Sequence, residues 1–394
     1  MKNILLYFTN IRVVLAFFLL TQAGIKMAHL DSPSDDFANF YYPNAINWLN
    51  DGSSYSTPDG LQWITNGDIS RHGGQPPAYS LLIASVWGIG GGISMLFVLN
   101  VLMLMVAVWF SFKIFQSVTD NKVIIFGSLW VMVLSPPFIF ITKFYNSEGM
   151  FTVLLAACFY FLVKAFQQQK STFYIMGLLF LLASILTRSI NMYMAPFLLL
   201  PFLVYAFPLK KKILFAGITF FFMIAISGIG SNDSSSYLRR TIADGLKRYE
   251  GDAVANKLIE SVKPHKGKWE TNFVNANFEC LKTEPIGLLK FWLFKSFKVW
   301  YGTDSGGQQG LLLLFQGLHL LAFWVCAFLF LFRKLKHPVV LLFFMGVLYT
   351  NVLATVNLSI VRYLVPMTPF YIFCTAYLCH RFISPYFNKA SIQS

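Results

Sequence analysis

Apolar runs separated by short polar junctions recur along almost the whole chain. A run of about 20 apolar residues is long enough to cross a bilayer as a helix. On this basis we place ten transmembrane helices at about 5–28, 93–112, 122–141, 149–166, 172–187, 190–208, 211–230, 310–332, 338–357 and 364–383. The pattern predicts an all-α polytopic membrane protein.

Two further apolar segments do not fit a full span. Residues 78–89 form a run of about a dozen residues, a length more typical of an interfacial or re-entrant helix. In 286–301 the run is interrupted by Lys290, Lys295 and Lys298. We interpret it as an amphipathic helix in the interface, with lysines that reach water or lipid phosphates. Both helices are placed on the outer face.

The polar stretches divide the chain into three parts. Residues 1–230 form an N-terminal transmembrane module with a first outer loop at 29–92. Residues 231–309 form an outer helical segment that ends in the interfacial helix, and residues 310–394 hold the C-terminal transmembrane helices. The soluble stretch near 231–285 is too short for a secure independent domain, so we expect a helical cap on the membrane part.

Composition and charge support a membrane location. The chain is 56% hydrophobic and 12% charged, whereas soluble domains carry about 25% charged residues. With the N-terminus inside, 14 of the 31 basic residues but only one of the 17 acids, Asp120, lie on the inner side. This asymmetry follows the positive-inside rule, so the net charge of +14 requires no nucleic-acid partner. The five cysteines lack a C-x-x-C pattern and support neither a disulfide framework nor a zinc site.

Several charged residues from separate parts of the chain fall on the outer side of this topology. Charges at a membrane edge usually face a cavity or a partner, and arginine suits phosphate because its planar donors bind two oxygens at once. An acidic pair and several arginines around one outer cavity would fit a phosphate-bearing lipid donor and an acceptor hydroxyl. These residues are Asp35, Asp36, Arg71, His72, Glu148, Arg188 and Arg362.

Simpler interpretations stand beside this one. Arg188 and Arg362 could anchor lipid head groups, and Glu148 could be a helix-start residue favoured by the helix dipole. Asp31 and Asp35 have the character of solvated loop acids, or Asp35 of a helix cap. Asp36 is the acid for which we favour a functional role, because aromatic residues surround it in the sequence.

The motifs resemble those of membrane glycosyltransferases of the GT-C superfamily, which use polyprenyl- or dolichyl-phosphate sugars. This superfamily includes protein O-mannosyltransferases and the aminoarabinose transferases that act on lipid A. Its first outer loop is similar to Asp36-Phe37, Phe40-Tyr41-Tyr42, Ala45, Gly52, Tyr55 and Pro76-Pro77-Ala78-Tyr79. Its later Ser/Thr-Glu element and arginine-bearing junctions resemble Asn146-Ser147-Glu148, Leu186-Thr187-Arg188 and Arg362-Tyr363.

This resemblance implies a GT-C-like bundle that transfers a hexose or pentose from a polyprenyl phosphate to a hydroxyl of a lipid, glycan or protein. The expected location is the outer face of a bacterial inner membrane. Asp36 would be the general base, with Asp35 as the alternative. The implied donor-phosphate ligands are Arg188, Arg362, Arg71 and His72. The implied substrate contacts are Tyr41, Tyr42, Glu148, Tyr79 and Tyr363.

Two departures qualify the resemblance. Many relatives have an acidic pair containing Glu where this chain has Asp35-Asp36, and they often carry Lys or His where this chain has Gln75. Any role of that cation must be absent here or supplied by Arg71 or His72. No cofactor is required by this chemistry. A divalent metal beside the aspartates is compatible with it, although nothing in the residue spacing demands one.

Other classes of membrane protein remain as alternatives. An O-antigen-type polysaccharide polymerase also has many spans, a large outer loop and outer arginines, but it does not require the early Asp-Asp with Pro-Pro-x-Tyr. A transporter is expected to carry charges or broken helices at mid-membrane and paired repeats. Here the charges lie at membrane edges and the sequence shows no repeat.

Overall fold

The fold is known from a computed structural model. It describes residues 8–34, 36–51, 77–205, 207–227, 233–262, 269–303, 309–332, 334–335 and 337–390. Within these ranges the chain forms seventeen α-helices, one π-helical turn and several short 3-10 turns, and it holds no strand. The prediction of an all-α protein is therefore confirmed for the described part of the chain.

Ten of the helices precede the outer helical segment. They are α1 (Ile11–Met27), α2 (Tyr42–Asp51), α3 (Pro77–Gly88), α4 (Ile93–Val118), α5 (Lys122–Leu134), α6 (Pro136–Ile139), α7 (Glu148–Gln168), α8 (Ser171–Thr187), α9 (Ala195–Val204) and α10 (Leu209–Ser227). The outer segment contains α11 (Asp233–Lys247), α12 (Ala253–Val262), α13 (Trp269–Thr283) and α14 (Pro285–Lys298). The chain then continues with α15 (Gln309–Leu331), α16 (Pro338–Val356) and α17 (Thr368–Ala390).

Several helices have the length and composition of membrane spans. In the described ranges, α4, α7, α15 and α16 could each cross a bilayer, and α5 with the following Pro136–Thr142 segment could form a fifth, bent span. The helices α8 and α9 are apolar but shorter. The structure therefore supports a multi-pass membrane protein, and it holds fewer helices that meet this test than the ten spans expected from the sequence.

The bend after α5 has a local cause. The sequence predicts one span at 122–141, but the two helical pieces meet at 64°. Pro136 and Pro137 begin the second piece, and a proline cannot donate the backbone hydrogen bond that would continue the first helix. Proline fits the first turn of a new helix instead, so the chain changes direction at Ser135.

The core is built around α7, which packs against α4 and α8. Its Phe159 stacks on Phe370 of α17, with ring centroids 4.1 Å apart, and also contacts Phe343 of α16. Because α7 and α8 are consecutive helices joined by a tight connection, they run antiparallel. The start of α7 and the end of α8 therefore lie at the same end of the bundle, which brings Glu148 close to Arg188.

The outer segment has a smaller apolar cluster of its own. Ile242 and Leu246 of α11 pack with Val254 and Leu258 of α12, and Phe291 of α14 joins them. In addition, α14 is tied to the span α16. At this contact between α14 and α16, Ser296 Oγ donates to Asn351 Oδ1 at 2.7 Å. The helices of this segment therefore pack on α16 through α14, and their role as an outer cap stays a prediction.

One lysine of α14 is buried, contrary to the expectation that it reaches water. Lys290 is exposed, but the side chain of Lys295 is fully buried. Its Nζ donates to the carbonyl oxygen of Asn357 at 3.1 Å and lies over the rings of Tyr249 and Trp292. The expectation that all the α14 lysines reach water or lipid phosphates is wrong for Lys295.

Candidate functional site

Four charged side chains from distant parts of the sequence meet at one end of the bundle. Arg188 Nη1 donates to Glu148 Oε1 at 2.7 Å, and Arg362 Nε donates to the same oxygen. Arg362 Nη2 donates to Asp36 Oδ2 at 2.6 Å. Two guanidinium groups thus face two carboxylates, and we refer to Asp36, Glu148, Arg188 and Arg362 as the charged cluster.

The helix ends suit the charges that they carry. Glu148 is the first residue of α7, where the positive end of the helix dipole favours a carboxylate. Arg188 follows the last residue of α8, where the negative end of that helix favours a cation. Arg362 lies in a 3-10 turn before α17. Each of the three groups is thus placed by a break between helices.

The cluster has a buried part and a more open part. The side chains of Glu148 and Arg188 are 4% and 15% exposed, whereas those of Asp36 and Arg362 are 35% and 30% exposed. Removing one partner of a buried ion pair costs about 3–5 kcal/mol, since the other charge is left without compensation. We therefore expect Glu148 and Arg188 to hold the cluster together and the Asp36 side to be accessible to ligands.

One atom of the cluster lacks a hydrogen bond. Glu148 Oε2 is buried and has no hydrogen-bond partner among the described residues. Buried polar atoms are normally paired, and each exception in a folded protein calls for an explanation. A ligand hydroxyl could supply the missing hydrogen bond to this oxygen.

Aromatic side chains surround the charged cluster. The Arg188 guanidinium lies over the rings of Phe151 and Tyr363, at 6.0 and 5.9 Å from the centroids. The hydroxyl groups of Tyr41 and Ser147 are 2.9 Å apart and share a hydrogen bond. Burial raises the pKa of Tyr41 to about 12, so its phenol stays protonated at neutral pH.

Two other predicted tyrosines lie beside the cluster without contacting its charges. Tyr79 donates to the carbonyl oxygen of Tyr145 at 2.8 Å, and it accepts from Asn100 Nδ2 at 3.2 Å. Tyr42 stacks on Phe37 and meets Trp87 edge to face. Tyr79 thus holds the backbone at Tyr145, and a contact of either tyrosine with substrate stays a prediction.

The segment that carries Asp36 is tied to the segment that carries Glu148. Ser32 N donates to the carbonyl oxygen of Lys143 at 2.9 Å, and Ser34 N donates to that of Phe144 at 3.2 Å. Ser34 Oγ also donates to the side chain of Asn146. These hydrogen bonds fix the chain just before Asp36 against the chain just before Glu148.

A partly buried ion pair supports the same junction. Lys26 Nζ donates to Asp31 Oδ2 at 2.6 Å, and the Tyr145 hydroxyl donates to the same oxygen. Burial opposes the ionisation of Asp31, but these two hydrogen bonds outweigh it and hold the pKa of Asp31 below its ordinary value. The expectation of a solvated Asp31 is therefore wrong. Tyr145 has a left-handed backbone with φ of 53°, which is uncommon for residues other than glycine.

The outer segment holds the loop that leads to Arg362. Thr241 Oγ1 donates to Asn357 Oδ1 at 3.1 Å, and Lys295 donates to the carbonyl oxygen of the same residue. Val361 N donates to the carbonyl oxygen of Gly302 at 2.8 Å. Gly245 of α11 lies directly against the Asn357 backbone, so that a side chain would not fit there. The outer helices therefore fix the position of the Arg362 turn.

The structure brings several of the predicted site residues together and leaves others undecided. Asp36, Glu148, Arg188 and Arg362 form the charged cluster. Tyr363 contacts this cluster because its ring lies under the Arg188 guanidinium. The arginines are paired with carboxylates, which speaks against the interpretation of either as no more than a lipid anchor. Asp35, Arg71 and His72 lie outside the described residues. Their assignments stay predictions.

No family model matches the chain, and no curated protein is significantly similar to it. Within the described ranges, no three His, Cys, Asp or Glu side chains converge as metal ligands would. The charged cluster and the sequence motifs around it are the features of this chain that bear on its function.

Proposed function

We propose that the chain is a GT-C-type membrane glycosyltransferase. It moves a hexose or pentose from a polyprenyl phosphate to a hydroxyl group of a glycolipid, cell-surface glycan or protein. In this proposal the chain crosses the membrane ten times with both termini inside, and the charged cluster lies on the outer face of a bacterial inner membrane. No nucleotide-binding glycine loop occurs in the sequence, as is consistent with a donor carried by lipid.

The observation that carries the proposal is the charged cluster itself. It places two arginines, whose donors suit phosphate, beside a partly exposed carboxylate at Asp36. A transfer from a lipid phosphate needs both kinds of group: cations for the phosphate and a base for the acceptor. Asp36, Glu148, Arg188 and Arg362, which belong to the sequence motifs that suggest this chemistry, meet in the fold.

The proposed reaction is a single displacement at the anomeric carbon. The acceptor oxygen attacks this carbon while Asp36 takes the hydroxyl proton, and a positioned base typically contributes about 10²–10⁴-fold. The new glycosidic bond forms as the bond between the anomeric carbon and the phosphate oxygen breaks. The electron pair of that bond leaves with the polyprenyl phosphate, and the anomeric configuration is inverted.

The arginines stabilise the charge that develops on the leaving group. Fixed cations in a site that excludes water stabilise such charge more than they would in bulk water. Glu148 accepts hydrogen bonds from both Arg188 and Arg362, and so it holds the two guanidinium groups at a defined separation. We assign Glu148 a positioning role for the cations and a contact to a substrate hydroxyl through Oε2.

Reconstitution tests this function. The purified protein in nanodiscs would be incubated with a panel of polyprenyl-phosphate hexoses and pentoses and with an outer-membrane glycolipid fraction. We expect one donor to yield free polyprenyl phosphate and a glycosylated product that mass spectrometry detects. Transfer only from oligosaccharides on polyprenyl diphosphate would favour the polysaccharide polymerase and contradict the proposal.

A comparison of cells with and without the protein would identify the product class. Mass spectrometry of surface glycolipids, glycans and glycoproteins should show the loss of a single sugar residue without the protein. A matched strain carrying Asp36→Asn should show the same loss. An unchanged glycan profile in both strains would contradict the proposed activity.

A further inference from the structure

Arg362 divides one edge of its guanidinium group between two acids. The Nε and Nη2 donors form the edge that can grip two oxygens of a single phosphate or carboxylate. Here Nε donates to Glu148 and Nη2 donates to Asp36. A phosphate that binds this edge must therefore displace a carboxylate. Because Nε has a single N–H, which Glu148 accepts, displacement of Asp36 alone leaves Nη2 to donate to one phosphate oxygen.

Charge balance leads to the same requirement. The charged cluster is formally neutral, because two arginines are matched by two acids. A neutral cluster offers little net attraction to a phosphate anion. When one carboxylate moves away, the cluster gains a net positive charge that attracts the phosphate anion. The cluster and the bound phosphate together are then close to neutral.

The contacts indicate which carboxylate leaves. Glu148 is buried and accepts hydrogen bonds from both arginines. Asp36 is a third exposed, and Arg362 is its ion-pair partner in the charged cluster. Moving Asp36 into water costs less than stripping two cations from a buried Glu148, since the Asp36–Arg362 ion pair is partly exposed and an ion pair near water contributes less than a buried one.

We propose that Arg362 exchanges Asp36 for the phosphate of the lipid donor, and that this exchange frees the Asp36 carboxylate for the acceptor hydroxyl. The inference rests on the proposed function and adds an order of events to it. The base is held by Arg362 in the empty enzyme and becomes free when the donor binds. Asp36 returns to Arg362 when the polyprenyl phosphate leaves.

The unpaired Glu148 oxygen points independently to a ligand at the same place. Glu148 Oε2 is buried and lacks a partner among the described residues, and its other oxygen already accepts from both arginines. A donor whose phosphate takes the place of Asp36 at Arg362 Nη2 would bring its sugar next to this carboxylate. A sugar hydroxyl would then satisfy Oε2, so one ligand accounts for both features.

Binding of a short carrier lipid tests the exchange. Farnesyl phosphate would be titrated into the full-length protein in nanodiscs, with farnesol as the probe that lacks phosphate. Asp36→Asn removes the competing charge, so we expect it to tighten farnesyl phosphate binding by about threefold to tenfold. Farnesol binding should not change. Glu284→Gln is the matched control, because this exposed outer acid lies near Lys257 and not near an arginine of the cluster.

A double-mutant cycle shows whether the effect runs through Arg362. In the Arg362→Ala background, the added Asp36→Asn substitution should not tighten farnesyl phosphate binding. Equal or weaker farnesyl phosphate binding by Asp36→Asn, or the same tightening without Arg362, would overturn the exchange and leave the proposed function standing. A wild-type protein that binds farnesyl phosphate no better than farnesol would overturn the proposed function, and the exchange with it.

A measurement on the wild-type protein does not depend on any variant folding. Carbodiimide labelling of Asp36, read by mass spectrometry, should increase when farnesyl phosphate is added. Labelling of Asp31, which is held by Lys26 and Tyr145, should stay constant. Unchanged or reduced labelling of Asp36 with bound farnesyl phosphate would contradict its release.

Discussion

Arg362 donates to Asp36 at 2.6 Å, although the two residues are 326 positions apart in the chain. Glu148 joins the pair because it accepts from Arg362 and from Arg188. The cluster therefore needs the segment before α2, the start of α7 and the turn before α17 to fold together. A site of this kind is formed by the fold as a whole.

The two arginines should respond differently to truncation. Arg188→Ala leaves the buried Glu148 with Arg362 as its remaining cation, so we expect a loss of stability approaching about 3–5 kcal/mol. Arg362→Ala removes a more exposed group and should mainly weaken binding of the lipid phosphate. Thermal unfolding and farnesyl phosphate binding would be measured for both. Arg381→Ala, at an exposed position of α17, serves as the control.

Lysine substitutions test the geometry of the same arginines. Lysine keeps the charge but loses the planar pair of donors, so Arg362→Lys should lower transfer by about tenfold or more. The folded protein should remain in the membrane. Unchanged donor binding and turnover in the Lys and Ala variants would indicate that Arg362 only anchors lipid head groups.

Gly245 tests the support that the outer segment gives to the site. Any side chain there would collide with the Asn357 carbonyl, so Gly245→Ala should shift the loop that leads to Arg362. We expect transfer activity to fall by about tenfold, with a smaller loss in the thermal midpoint. The matched control is Gly217→Ala, since nothing lies near an added methyl group there. Equal activity of the two variants would show that this contact does not position Arg362.

The sequence allowed the ends of the helices to be predicted better than the contacts between them. The positive-inside pattern and the short junctions placed Glu148, Arg188 and Arg362 on one side of the bundle, and in the fold they meet. Their pairing could not be read from the sequence, because it depends on how α7, α8 and α17 pack. The angle between α5 and α6 could not be predicted from the sequence either, since two prolines alone do not specify an angle.

Two errors about individual charges have physical explanations. Asp31 looked solvated because its partners, Lys26 and Tyr145, are brought to it only by the fold. Lys295 was grouped with Lys290, but a separation of five residues rotates the side chain by about 140° around a helix. A helical projection would have placed Lys295 on a different face from the exposed Lys290.

Buried Lys295 should make stability depend on pH. Burial lowers the pKa of Lys295 to about 7, and nearby Arg248 and Lys298 act in the same direction. Between this value and the ordinary pKa of 10.5, the unfolded chain binds a proton that the folded chain does not. Stability should therefore rise with pH across this window, by up to about 1.4 kcal/mol per pH unit.

Lys295→Met provides the readout. The variant should exceed the wild type in stability most clearly at pH 7 and below, and the difference should shrink as the pH approaches 10. Thermal unfolding in nanodiscs across this range would measure it. Lys290→Met, at the exposed position of the same helix, is the matched control variant. A constant difference for Lys295→Met would contradict the burial argument.

Topology can be tested by labelling single cysteines with an impermeant reagent in a background without the native cysteines. The charge division predicts that position 279 of α13 labels from outside, because it lies in the outer segment. Position 334, after α15, should be labelled only after the membrane has been permeabilised. Both positions are exposed in the structure. Labelling of position 334 from outside would overturn the proposed orientation and the outer location of the charged cluster.

Glycosyl transfer by the Asp36→Asn variant tests whether Asp36 is the base of the proposed reaction. Asparagine keeps the size of the side chain and removes its ability to accept a proton. With a polyprenyl-phosphate sugar and its acceptor, we predict that Asp36→Asn abolishes transfer while expression and donor binding persist. Asp35→Asn should keep partial activity. Full activity of Asp36→Asn would contradict the assignment, and loss of activity in Asp35→Asn alone would move the base to Asp35.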